Sequence, residues 1–94
     1  MVDNTNSNEI LLRVKSSSSA ANLAAAIANN IYEGNEVVLR AIGAAAVNQS
    51  QKAIAIAQSY VGPRGKVLAS RPGFTTVEMP DGSISAMTFR ILVS

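Results

Sequence analysis

Cysteine, histidine and tryptophan are missing from this sequence of 94 residues, and aromatics make up only 4% of it. Without cysteine there is no disulfide framework, no thiolate nucleophile and no zinc–cysteine site. Without histidine, the usual general base and metal ligand of neutral-pH chemistry is gone as well. The few carboxylates are scattered over the amino terminus, the end of the first helix and the last hairpin, in no arrangement that suggests a paired acid and base. The patterns GxxxxGK[ST], GxGxxG and GxSxG do not occur. These absences exclude most hydrolase and metalloenzyme chemistries and imply no cofactor and no metal. The expectation is a protein that binds rather than catalyses.

Long hydrophobic runs are lacking too. No stretch of about 18 apolar residues offers a transmembrane helix. The start, MVDNTNSNEI, has neither the basic beginning nor the apolar centre of a signal peptide, so the expected location is cytoplasmic. The length suits one domain, here residues 9–94 behind a polar tail over Met1 to Asn8 that reads as mobile. A domain this small buries only roughly 60 to 65% of its unfolded surface, which makes help from self-association expected. With 48% apolar residues and few rings, the core has to be built from Ala, Val, Ile and Leu.

What is there is a clean succession of periodic segments. Glu9 to Lys15 alternates Ile10, Leu12 and Val14 against Leu11, Arg13 and Lys15, the pattern of a strand with one apolar face. Ser16 to Ser19 supplies candidate N-caps for a helix that spaces Leu23, Ile27 and Ile31 four apart beside Ala20, Ala24 and Ala28. Gly34 ends that helix, and Glu36 to Ile42 reads as a second strand, parallel to the first because a right-handed crossover joins them. Gly43 precedes a second helix over about Ala44 to Tyr60, whose apolar arc (Val47, Ser50, Ile54, Ala57 and Val61, widened by Ala53, Ile56 and Tyr60) is broader than one sheet face needs. Either a second subunit or the first helix has to cover the surplus. VGPRGK is a loop, and Lys66 to Met79 a third strand interrupted at Arg71, Pro72 and Gly73, hence edge or bent. Pro80 to Ser83 forms the tip of a hairpin leading into a last strand that places Met87, Phe89, Ile91 and Val93 on one side. The order βαβαββ predicts an α/β two-layer sandwich: a four-stranded mixed sheet with two helices on one face.

The net charge of +2 is small, but it is unevenly distributed. Between Val37 and Val77 the charged residues are Arg40, Lys52, Arg64, Lys66 and Arg71, with no acid among them. In a parallel crossover both helices start at the same edge of the sheet. Lys15, Ser16 and Ser17 before the first helix should therefore converge with Gly43, Asn48, Gln49 and Lys52 at or near the start of the second. Cations, hydroxyls and first-turn amides together suit phosphate. Phe74 could wedge or stack on a base, but a lone Phe near a strand reads more readily as core.

The run AIGAAAVNQSQKAIAIAQSYVGPRG, Ala41 to Gly65, resembles the signature of the stage V sporulation protein S (SpoVS) family, and the likeness extends from about Glu9 to Val93. The resemblance implies an Alba-like fold, of the kind that dimerises and sets loops and the last hairpin against a nucleic-acid duplex. Carried over by position, it implies that Lys15 and Ser16 are the basic loop after strand one and that Arg71 to Ser85 is the hairpin arm. The arm departs from that pattern, since Glu78 and Asp81 repel phosphate and only Arg71 is basic.

Two functional expectations follow. One is a regulatory nucleic-acid-binding protein, dimeric or of higher order, that contacts DNA or RNA backbone through Lys15, Ser16, Ser17, Arg40 and Gly43 together with Asn48, Gln49, Lys52 and Arg71. An RNA-binding domain of the kind found in translation factors with the same element order is one version of it. The alternative is an oligomeric protein-interaction or assembly module without nucleic-acid binding, which the modest charge favours.

Overall fold

A computed structural model describes residues 8–94, so all but Asn8 of the stretch expected to be a mobile tail lies outside the described residues. The elements run β1 (Glu9–Val14), α1 (Ala20–Tyr32), β2 (Glu36–Ala41), α2 (Ala44–Val61), β3 (Leu68–Met79) and β4 (Gly82–Val93), with a 3-10 turn at Gly62–Arg64. The sheet order is β1-β2-β4-β3. β1 and β2 are parallel, with Leu11 beside Val38 and Arg13 beside Arg40; β4 is antiparallel to both β2 and β3. This is the βαβαββ sandwich with a four-stranded mixed sheet that the periodicity predicts.

The core follows from the alternation. Val14, Val37, Leu39, Ala41, Phe89 and Ile91 face Ala24, Ile27 and Ile31 of α1 and Ala46, Ala53, Ile54 and Ala57 of α2. Alanine-rich contact faces bring the two helices close to the sheet and to each other. α1 covers part of the surplus arc of α2: Ala53 is fully buried and Ile56 partly so, while Tyr60 stays exposed. At the far ends of the helices the Tyr32 hydroxyl donates to the Tyr60 carbonyl at 3.0 Å, while Arg64 lies 4.4 Å from the centre of the Tyr32 ring. Ser50, fully buried on this arc, donates its hydroxyl back to the Ala46 carbonyl at 2.9 Å, so no polar group is stranded.

β3 is not interrupted. It pairs with β4 along its whole length, Pro72 opposite Phe89 included, because β3 is the edge strand and the proline nitrogen has only the open edge to face. Its start is set by Gln58, whose amide donates to the Lys66 carbonyl at 3.0 Å and accepts from the Leu68 N–H at 2.7 Å. β4 pairs with β2 only over Met87–Arg90, so the outer half of the β3–β4 hairpin extends past the helices. Phe74 is 80% exposed there, which overturns its reading as core: its side faces the helix layer, but the helices end before they reach it. Among the described residues no helix is long and apolar enough to cross a membrane.

Candidate functional site

Among the described residues no element covers the sheet face turned away from the helices, and its charges are sorted by position. At the amino-terminal ends of β1 and β2, Glu9 and Glu36 are register neighbours, and both bind Arg90, at 2.5 and 3.1 Å. These are the only ion pairs among the described residues. Four residues further along the same strands come Arg13 and Arg40, side by side and without a carboxylate partner among the described residues. At about 3.3 Å per residue they stand roughly 13 Å from Glu9 and Glu36, beyond the Debye length of about 8 Å at physiological salt. The two arginines therefore present their charge to solvent.

Beyond them the strands end in an open depression of about 490 Å³, lined by Arg13, Lys15, Ser16, Arg40, Gly43 and the first residues of α2. Carboxyl ends of parallel strands are where open α/β sheets place their ligands. Two local structures shape this one. After β1 the chain turns tightly: the Ser18 N–H donates to the Lys15 carbonyl at 3.0 Å, and the Lys15 N–H donates to the Ser18 hydroxyl at 2.9 Å. That leaves Ser16 and Ser17 exposed at the turn, with no side-chain hydrogen bond among the described residues. After β2, Gly43 takes φ 90° and ψ 158° and its carbonyl accepts the first helical bond, from the Val47 N–H at 3.0 Å. A Cβ at Gly43 would meet nothing within 4 Å, so glycine is needed here for its backbone conformation and not for room.

The two helix starts differ. α1 is capped by Ser19, whose hydroxyl accepts from the Asn22 N–H at 3.2 Å. α2 begins Gly-Ala-Ala-Ala, with no side-chain cap and no acid in its first turn, so the first-turn amides of Ala44, Ala45 and Ala46, residues that line the depression, are unclaimed by any side chain. Three cations, a free hydroxyl and a row of first-turn amides share one concave surface. The chemistry that fits it is a polyanion backbone or an isolated phosphate.

The profile of the Stage V sporulation protein S (SpoVS) family matches residues 10–94. The chain belongs to that family. Its fold is similar to that of Alba from Thermoplasma volcanium, with a TM-score of 0.60 and 16% sequence identity over 90% of this chain and 99% of that one. At that identity the likeness is one of fold, and it gives the SpoVS chain an Alba-like architecture.

The structure gathers some of the sequence-predicted residues and separates others. Lys15, Ser16, Arg40 and Gly43 line the depression, with Ser17 next to it on the turn. Gln49 is committed to the fold: its amide donates to the Ser18 carbonyl at 2.7 Å and ties α2 to the β1–α1 turn. Asn48 is exposed one turn into α2, and Lys52, also exposed, stands about 12 Å along the helix axis from its first residue. Arg71 shares the uncovered sheet face but lies on β3, across β4 from β2, about 12 Å from Arg40 by strand spacing. Arg13 is the residue that sequence reasoning missed. Its alternation with Ile10, Leu12 and Val14 already placed it on the face opposite the core, and the parallel pairing of β1 with β2 sets it beside Arg40.

A second cavity, of about 390 Å³, opens at the other end of the sheet among Ile31, Glu36, Lys66, Arg90 and Ile91. Arg90 is held there by two carboxylates, which leaves Lys66 the one uncommitted cation in its lining. It offers far less to an anion than the depression at the start of α2.

Proposed function

We propose that this SpoVS-family chain is a regulatory nucleic-acid-binding protein that holds the phosphate backbone of DNA or RNA in the depression at the carboxyl ends of β1 and β2. The observation that carries the reading is the convergence of Arg13, Lys15 and Arg40 on the uncapped start of α2, with the neighbouring carboxylates Glu9 and Glu36 held by Arg90 at the far end of the strands. Cations and amides of this kind fix affinity and register without reading bases. The uncovered sheet face carries no aromatic residue, so it lacks the stacking platforms that single-strand binders use, and backbone contact dominates. Arg71 extends the cationic surface along the open sheet face toward the hairpin, while Asn48 and Lys52, exposed on α2, are outlying members of the proposed contact set. The protein acts by occupancy, with no catalytic step, no metal and no cofactor, as a homodimer or higher homo-oligomer in the cytoplasm.

The exposed hairpin favours a second reading. Phe74, Met79 and Ile84 leave apolar surface on an arm with an open strand edge, the kind of surface on which an assembly module recruits copies or partners.

Fluorescence anisotropy of the purified protein with duplex DNA and with single-stranded RNA, titrated from low to physiological salt, tests the first reading. The expected result is binding that weakens linearly on a log–log scale as salt rises, with the higher affinity at matched salt naming the preferred polymer. Absence of binding to either polymer at low salt would discard it in favour of the assembly reading.

A further inference from the structure

We propose that Ser16 is a phospho-acceptor whose phosphoryl group occupies the Arg13–Lys15–Arg40 depression and closes it to an incoming polyanion. This rests on the reading of that depression as the nucleic-acid site and adds a means of shutting it.

Ser16 differs from its neighbours in what its hydroxyl does. The Ser18 hydroxyl accepts from the Lys15 N–H and the Ser19 hydroxyl caps α1, so both are used in holding the turn and the helix start. The Ser16 and Ser17 hydroxyls have no partner among the described residues, and both residues are exposed. Of these two, only Ser16 lines the depression. The turn that carries it is closed by hydrogen bonds at both ends, so a group added to its hydroxyl is presented to the depression by a fixed backbone.

The chemistry is balanced by an external donor. A nucleoside triphosphate held by a kinase gives up its terminal phosphoryl group: the Ser16 Oγ–P bond forms, the phosphoanhydride bond breaks, the diphosphate leaves and the hydroxyl proton passes to the kinase's base. Arg13 and Lys15, three and one positions before Ser16, give an acidic kinase groove its electrostatic handle. The product carries about −1.5 to −2 charge at pH 7 and three strong acceptor oxygens. Set against Arg13, Lys15 and Arg40, it cancels most of the local charge and takes up the donors a nucleic-acid phosphate would use. Phosphate on Ser17 adds the same charge nearby but outside the depression.

The test compares full-length protein carrying phosphoserine at position 16, phosphoserine at position 17, or neither. Two quantities are read: affinity for duplex DNA at low salt, and the pH midpoint of the phosphoserine ³¹P resonance. The expected result is a loss of about tenfold or more in affinity for the position-16 form and a clearly smaller loss for the position-17 form. The midpoint of the position-16 phosphate should lie below the usual value of about 6 and return toward it in Arg40→Gln and Arg13→Gln. An unshifted midpoint, or equal losses from both positions, would overturn the proposal even where unmodified protein binds DNA well. Should the unmodified protein fail to bind nucleic acid, the function proposed above falls, and the ³¹P midpoint with its arginine dependence still decides whether the Ser16 phosphate occupies the depression.

Discussion

Exchanging Arg13, Lys15 and Arg40 together for Gln lowers the slope of log affinity against log salt by about 2.7 on duplex DNA, since each phosphate contact contributes about 0.9. Glutamine keeps a polar, stem-like side chain, so the half-buried Arg40 leaves no hole. The control removes charge elsewhere. Arg64 and Lys66 lie past the opposite end of α2, Arg64 over the Tyr32 ring, and their exchange for Gln should leave the slope unchanged. A slope lowered equally by both variants would mean that net charge, and not the depression, governs binding. An unchanged slope in the triple variant would move the interface elsewhere.

The largest expected effect on stability comes from Leu39→Ala. Leu39 is wholly buried in β2, between β1 and β4 and beneath the helices. Truncating it leaves a cavity in a core of small residues that cannot collapse to fill it, at a cost of about 2 to 5 kcal/mol. Leu11→Ala is the same chemical change on β1, but Leu11 is 42% exposed on the uncovered face, and the cost there is below about 1 kcal/mol. Urea unfolding checks both: the midpoint drops sharply for Leu39→Ala and little for Leu11→Ala, with m unchanged. Equal shifts would show that the uncovered face is as well packed as the core, through self-association.

The fold was legible because each element announces itself locally. The alternation of β1, the serines before α1, Gly34 and Gly43 at the junctions, and Pro80-Asp81-Gly82 at the hairpin each have a physical meaning that does not depend on the rest of the chain. What was not legible depended on distance between elements. Arg13 lay outside the acid-free window that drew attention to Arg40, and only the strand register makes the two neighbours. Gln49 looked available to a ligand because its partner, the Ser18 carbonyl, is far away in sequence. Phe74 reads as core because a lone ring near a strand usually is, and the sequence does not tell how far the covering helices extend. The surplus arc of α2 left two covers open, and packing against α1 supplies one.

In the proposed complex, phosphate lies against the ends of β1 and β2 and the start of α2. Amide chemical-shift mapping by NMR during titration with a short DNA duplex tests it most directly. The largest shifts are expected on residues 13–17 and 40–46, including the amides of Ala44, Ala45 and Ala46, and they should fade as salt is raised. Shifts confined to the hairpin tip around Asp81, or to the outer faces of the helices, would contradict it.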